Sequence, residues 1–308
     1  MCIAIVDIYI MISNVININD SIKQPITEIG NTKIILGDSR EVLKSFPDNF
    51  FQCCITSPPY WGLRDYGIKG QIGAEVELKN YIDDLVKIFN EVRRTLKPDG
   101  TLWLNIGDAY TSGNRTWRDD DKKNPGRGMS YRPPTPDGLK SKDLIGIPWK
   151  IAFALQEDGW YLRSDIIWNK PNCQPESVKD RPTRSHEYIF LLTKSEKYYY
   201  DYESIKEQTI DGNSLKNKRT VWNINTNGFK GPHFAVFPPE LVKQCLFAGS
   251  KINSNILDPF FGAGTVGLVS NNYNRKCFGI ELSPEYIKLA EERILNEGVN
   301  IFSDAIYL

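Results

Sequence analysis

The chain has 308 residues, 41% hydrophobic and 25% charged, with 38 Lys and Arg balanced by 38 Asp and Glu. This composition excludes collagen, a disulfide scaffold and a wholly disordered chain, and the length allows one large α/β domain or about two smaller ones. Zero formal net charge neither suggests nor excludes a polyanionic partner, because clustering of charge governs such binding more than its sum. Cys2, Cys53, Cys54, Cys173, Cys245 and Cys277 form no CxxC pair, and His186 and His233 are the only histidines. Zinc-ligand spacing is therefore absent and no metal is expected. A reduced, cytoplasmic protein with mostly buried thiols is the expectation.

Residues 1–28 read as an N-terminal extension, either a leader or an edge strand. The segment is rich in Ile and Val but lacks the basic start of a signal peptide. Asp7, Ser13, Asn14 and Asn17 interrupt any membrane span. Residues 29–308 read as one domain. Short apolar runs predict strands at 33–36 and 50–56. Ile82, Leu85, Phe89, Val92 and Leu96 fall at helical spacing, and Lys97-Pro98-Asp99-Gly100 signals a turn before a buried strand at 101–106. A helix at 147–156 precedes strands at 160–168 and 186–193. A helix at 239–248, a strand at 256–258, a helix at 265–271, a strand at 276–281 and a helix at 284–295 complete the series. Strands alternating with helices predict an α/β, doubly wound, parallel-rich sheet. Two polar stretches, 112–142 and about 171–232, break the rhythm.

Thr56-Ser57-Pro58-Pro59-Tyr60-Trp61 follows an apolar strand, placing it at the carboxyl edge of the sheet, where ligands bind in such folds. The prolines stiffen the turn and remove N–H donors, leaving carbonyls free to accept. A short polar side chain followed by Pro-Pro-aromatic suits an exocyclic NH2 on a planar ring: Ser57 and the Pro58 carbonyl accept its hydrogens and Tyr60 stacks on the ring. A plain strand-ending turn is the alternative. Asp258-Pro259-Phe260-Phe261-Gly262-Ala263-Gly264-Thr265 lies between a strand and a helix, where Gly262 and Gly264 let the backbone approach a ligand and the helix N-terminus favours an anion. The turn lacks the full G-x-G-x-x-G spacing and a Walker lysine, which disfavours NAD and ATP. Glu281 ends the next strand about 20 residues on, as a ribose-binding acid does; a plain helix-start acid is the other reading.

Together these segments resemble the S-adenosylmethionine-dependent amino-methyltransferases of DNA, through their D-P-F-x-G-x-G-T and [DNS]-P-P-[YFW] motifs. The likeness spans roughly residues 32–292 and takes in Asp165-Ile166-Ile167-Trp168-Asn169-Lys170-Pro171 and His186-Glu187-Tyr188-Ile189. The catalytic motif precedes the cofactor motif by about 200 residues, an order similar to the beta class. The resemblance implies a Rossmann-like methyltransferase sheet with circularly permuted motif order and an inserted target-recognition region. It implies that Asp258, Phe260, Gly262, Gly264 and Thr265 line the cofactor, that Glu281 holds its ribose and that Asp38 accepts from its adenine amine. His233 and Phe237 would close the pocket near the methionine carboxylate, although a structural role for a lone histidine is an equal alternative.

In this family Ser at the first motif position goes mostly with cytosine N4, and Asp or Asn mostly with adenine N6, so Ser57 favours N4-methylcytosine. Transfer would be direct and in line, after extrusion of the base from duplex DNA, with no strong general base visible in the sequence. Trp61 is expected either to help stack the base or to pack under the loop. Arg115, Arg118, Lys122, Lys123, Arg127, Arg132, Lys216, Lys218 and Arg219 in the two inserts are the expected DNA-binding residues; a solvated loop is the alternative for 112–142. Asn172-Cys173-Gln174 suggests a C5-cytosine nucleophile only weakly, because the preceding proline is missing. Adenine-N6 methylation, RNA or protein-amide methylation, and an inactive DNA-binding relative are the competing readings. The likeness is compatible with a restriction–modification system without implying contact with its endonuclease, and monomer and homodimer both stay open.

Overall fold

The computed structural model describes residues 22–68, 70–112, 132–226 and 237–298. Its strands are β1 (Ile26–Ile29), β2 (Thr32–Leu36), β3 (Phe51–Thr56), β4 (Leu96–Ile106), β5 (Tyr161–Asn169), β6 (His186–Thr193), β7 (Glu207–Gln208), β8 (Leu215–Lys216), β9 (Val221–Asn223), β10 (Asn255–Asp258) and β11 (Lys276–Glu281). Its helices are α1 (Ser39–Val42), α2 (Leu78–Thr95), α3 (Ile147–Glu157), α4 (Pro239–Gly249), α5 (Thr265–Asn272) and α6 (Pro284–Gly298). Nine strands form one sheet in the order β1-β2-β11-β10-β3-β4-β6-β5-β9, and β7 and β8 form a separate ribbon. β2, β11, β10, β3 and β4 run parallel, whereas β6 is antiparallel to both β4 and β5. The mixed α/β sheet matches the doubly wound expectation.

Helices cover both faces of this sheet, so its central strands carry near-continuous apolar runs. On one face Tyr81, Leu85, Ile88, Phe89 and Val92 of α2 pack with Ile151 and Leu155 of α3 over Cys54, Leu102 and Leu104. On the other, Leu241 and Leu246 of α4, Val266 of α5 and Ile294 of α6 pack over Cys53, Ile55 and Trp103. Cys53 and Cys54 point to opposite faces, as the two-residue period of a strand requires.

The boundaries differ from the sequence reading in three places. Lys97–Gly100 forms a wide bulge inside β4 rather than a turn before it: Leu96 pairs with Phe51 and Thr101 with Cys53. β1 adds an antiparallel edge to β2 and begins inside the segment read as an extension. β9 pairs with β5 over three residues, too few for a periodic signal. Cys53, Cys54, Cys245 and Cys277 are buried free thiols, Cys173 is partly exposed, and burial pushes the Cys53 thiol up to about 12. Among the described residues no helix is long and apolar enough to cross a membrane, and no group of three or more His, Cys, Asp or Glu could hold a metal ion.

Candidate active site

β3 and β10 are neighbours, so the two motifs that lie about 200 residues apart in the chain emerge side by side. Their ends are tied directly. Thr56 Oγ1 donates to Asp258 Oδ1 at 2.7 Å, and the same oxygen accepts from the Phe260 backbone N–H at 3.1 Å. Burial pushes the Asp258 carboxyl from 3.8 up to about 7, only partly offset by these two donors. Asp258 therefore braces the two loops from below. It is buried away from solvent.

The Ser57-Pro58-Pro59-Tyr60 turn is held from several sides. The Tyr81 hydroxyl, on α2, donates to the Pro59 carbonyl at 2.9 Å. Among the described residues none donates to the Pro58 carbonyl. Ser57 Oγ lies 3.5 Å from Tyr60 Oη, which donates to Glu187 Oε2 at 2.8 Å. Gly107, where the chain leaves β4, makes room for the Tyr60 ring: a Cβ there would lie 2.8 Å from Tyr60 Cε2 and 3.2 Å from Glu187 Cγ. Trp61 is only 5% exposed and donates its indole N–H to the Glu75 carbonyl at 2.8 Å. It packs under the loop, so its expected role as a base-stacking residue is not supported. A cavity of about 610 Å³ opens beside Tyr60, lined by Gly107, Asp108, Arg132, Lys170, Arg184 and Glu187 among others.

The glycine turn is shaped for close approach. Gly262 and Gly264 have φ of 52° and 74°, a region that side chains other than hydrogen rarely adopt. Gly264 caps α5 at its N-terminus. Phe261 is buried beneath the turn, and a Cβ at Gly279 would come within 2.2 Å of its ring. Glu281 Oε2 accepts from the Gly262 N–H and Oε1 from the Ser283 N–H, each at 2.8 Å. Burial raises its carboxyl, against the pull of those two donors. Thr265, expected to line the cofactor, is buried, and its hydroxyl accepts from Arg293 Nη1 at 2.9 Å, which braces the turn. Arg293 also donates to the Ala263 carbonyl at 3.2 Å. Phe260 is half-buried, edge-on to Phe89 at 6.5 Å between centroids.

Asp38 stands at the end of β2, next to β11, where the Gly37 N–H donates to the Glu281 carbonyl at 2.9 Å. Its carboxylate caps α1 by accepting from the Arg40 N–H at 2.9 Å and pairs with the Arg40 guanidinium at 2.5 Å. Burial alone would raise this carboxyl, but Arg40 outweighs it and holds the group below its ordinary value. The Ser39 hydroxyl donates to the Pro259 carbonyl, binding α1 to the glycine turn. Asp38, Glu281, Gly262 and Gly264 thus gather at one strand edge. The two fixed carboxylates and the two glycines of the turn suit a ligand with hydroxyls, an amine and a carboxylate. Phe237 packs on the α4 face of the core, and His233 lies outside the described residues.

Of the expected DNA contacts, Arg115, Arg118, Lys122, Lys123 and Arg127 also lie outside the described residues. Lys216 and Lys218 flank Glu207 at 3.4 and 3.9 Å, which balances part of their charge, and the Arg219 carbonyl accepts from the Trp222 indole N–H. The described parts of the two inserts meet at the cavity. Lys142 pairs with Asp180 at 2.7 Å, Arg181 lies 4.0 Å over the Tyr110 ring, and Arg184 donates to the Asp108 carbonyl. Sequence reasoning missed the roles of Asn105, Lys170, Glu187 and Arg293. Their elements were visible, but only the sheet order brings them to these loops.

The fold is an α/β sheet with the Ser-Pro-Pro-Tyr turn and the glycine turn on adjacent strand edges. Comparison with known proteins narrows this. Residues 51–292 match the DNA methylase family of N6 and N4 amino-methyltransferases, and the chain belongs to it. It is 65% identical over 270 residues to the type II methyltransferase M.SmaI of Serratia marcescens, covering 87% of this chain and 92% of that one. It is 58% identical over 274 residues to M.Cfr9I of Citrobacter freundii, covering 89% and 91%. Among solved structures, the cytosine-N4-specific PvuII DNA methyltransferase aligns with a TM-score of 0.64 at 21% identity, over 89% of this chain and 93% of that one. A DNA modification methylase from Thermus thermophilus, complexed with S-adenosylmethionine, aligns at 0.59 and 26% identity, over 86% and 93%.

Proposed function

We propose that this type II DNA methyltransferase transfers the methyl group of S-adenosylmethionine to the exocyclic N4 amine of cytosine in double-stranded DNA. The carrying observation is Ser57 at the head of the Pro-Pro-Tyr turn, beside the Pro58 carbonyl, to which none of the described residues donates, and 3.5 Å from the hydroxyl of Tyr60, which is bound to Glu187. A cytosine amine is a poor nucleophile because its lone pair is delocalised into the ring. Two acceptors that hold its hydrogens favour a pyramidal nitrogen with the lone pair aimed at the methyl donor, and alignment supplies most of the acceleration. The cofactor carries an electrophilic methyl group. Gly262, Gly264, Glu281 and Asp38 are the residues that would hold it. The target base leaves the helix to reach the turn, at a cost of a few kcal/mol, and the 610 Å³ cavity beside Tyr60 has room for it. The inserts that meet at this cavity are the candidate target-recognition region.

Nucleoside mass spectrometry tests the reading directly. Expressed in a host without DNA methylation of its own, the protein is expected to leave N4-methylcytosine in genomic DNA. N6-methyladenine would keep family and cofactor and overturn the choice of base.

A further inference from the structure

Beside Ser57 lies a partly buried ionic cluster that belongs to neither motif. Glu187, at the start of β6, accepts from Tyr60 Oη at 2.8 Å and from Asn105 Nδ2 at 3.2 Å, and it is paired with the Lys170 ammonium. The side chains of Lys170 and Glu187 are 18% and 17% exposed. The Lys170 ammonium also sits 4.2 Å over the Trp168 ring. Asp108, Tyr110, Arg132, Cys173, Glu176, Arg184 and His186 are the other charged and titratable groups among the described residues that line the same cavity. A buried ion pair is weak evidence for stability, since apolar side chains of similar volume often do as well or better. Here one end of the pair leads to the reacting group: Ser57 Oγ–H, Tyr60 Oη–H and the Glu187 carboxylate form a continuous donor–acceptor line.

We propose that this line carries away the proton the target amine must lose, with Glu187 as its terminal acceptor; the inference rests on the amine-methylation reading of the site. The amine nitrogen's lone pair forms the new N–CH3 bond while the electrons of the S–CH3 bond stay on sulfur. The methylated nitrogen is then left with a positive charge and one proton too many. That proton passes to Ser57 Oγ, the Ser57 proton to Tyr60 Oη, and the Tyr60 proton to the Glu187 carboxylate. Both hydroxyls end neutral, so no tyrosinate forms, as Tyr60 requires: desolvation and the neighbouring Glu187 charge hold its phenol well above the usual range. Glu187 ends as a neutral acid beside Lys170 and returns its proton to water in the cavity. The 3.5 Å step from Ser57 to Tyr60 is long, and such bonds commonly tighten when substrate binds. Burial would raise the Glu187 carboxyl, but the Lys170 charge and the hydrogen bonds from Lys170, Tyr60 and Asn105 outweigh it, keeping the group ionised and ready to accept. Because Glu187 acts through Tyr60 and Ser57, it is a positioning residue whose charge matters.

The test uses single-turnover methylation of genomic DNA from a methylation-free host, with the full chain and its cofactor. Glu187→Gln and Tyr60→Phe should each slow the step by about 10²-fold or more, the usual scale of assisted proton transfer, while cofactor affinity stays within about twofold. The double variant should be no slower than either single one. Wild-type activity should fall at acid pH as Glu187 protonates. That acid limb should vanish in Glu187→Gln and move to higher pH in Lys170→Met, which strips the carboxylate of its cation. The cofactor-free protein gives an independent readout: the infrared band of the protonated Glu187 carboxyl should titrate at higher pH in Lys170→Met than in wild type. A wild-type rate in Tyr60→Phe, an acid limb retained in Glu187→Gln, or an unmoved infrared band would overturn the relay. Should Glu187→Gln not fold, Tyr60→Phe decides, because it keeps the ring and removes only the link. Product identity stays separate: N6-methyladenine from wild type would overturn the cytosine reading and leave the relay standing.

Discussion

Gly107 offers a sharp test of how finely Tyr60 is held. Its φ is not in the left-handed region, so alanine meets no backbone strain there. The whole perturbation is one methyl group. That carbon would lie 2.8 Å from Tyr60 Cε2, and 3.2 and 3.3 Å from Glu187 Cγ and Cδ. Non-bonded carbons rest about 3.5–4.0 Å apart, so the Tyr60 ring must retreat by about 0.7–1.2 Å. It cannot do so freely, because its hydroxyl is bound to Glu187 at 2.8 Å and Glu187 is held by Lys170 and Asn105. Displacements of about 1 Å at reacting groups lose about 10²-fold in rate. Gly107→Ala is therefore expected to lower the single-turnover methylation rate by about that factor. Denaturant unfolding should register an overpacking loss of about 1–3 kcal/mol, and cofactor affinity by calorimetry should hold. A folded Gly107→Ala protein that methylates at the wild-type rate would refute the argument that the ring's position governs the reaction.

Three other outcomes follow from the same geometry. Because burial raises Asp258 to about 7, the folded protein binds more protons than the unfolded chain between about pH 4 and 7, so this carboxyl lowers stability as pH climbs through that window. Asp258→Asn cannot ionise, and its melting temperature relative to wild type should rise between pH 4 and 7 and then level; a constant difference would contradict the assignment. Arg293→Lys keeps the charge but loses the fork that binds Ala263 and Thr265, and calorimetry should show cofactor affinity weakened about tenfold, the worth of one to two hydrogen bonds. Cys173→Ala should keep substantial activity while Ser57→Ala loses most of it; a dead, folded Cys173→Ala would restore a thiolate mechanism.

The regular core was legible because its strands and helices are long and strongly patterned. Tyr81 to Val92 forms an unbroken apolar stripe, and β11 coincides with the run read at 276–281. The short pairings were not, since β1 and β9 bury too few residues to impose a period. At the site, the two motifs located the loops, yet the duties of single side chains inside them depended on neighbours far away in the chain. Thr265 turns inward because Arg293 waits beneath it, and Trp61 turns inward because the Glu75 carbonyl accepts its N–H. Glu187 and Lys170 stood within recognised segments with no role attached, because their meeting with Tyr60 depends on where β6 lies in the sheet.

The permuted motif order works for the same reason. A site at the carboxyl edge of a parallel sheet is defined by which strands adjoin, and the order in which the chain visits them is immaterial to its chemistry. β3 arrives early in the chain and β10 late, yet they pair directly at Cys53 with Ile256 and Cys54 with Leu257. Two residues further along β3, the Thr56 hydroxyl reaches the Asp258 carboxylate. That one bond joins the turn proposed to grip the amine to the turn that would hold the methyl donor. In-line transfer needs nucleophile and donor held within a fraction of an ångström of each other. A buried hydrogen bond between the two loops, deep in the core and shielded from water, meets that need better than contacts made at the surface. The separation of the motifs in sequence is large, but the mechanical path between them is short: one residue from Thr56 to Ser57 on one side, four from Asp258 to Gly262 on the other.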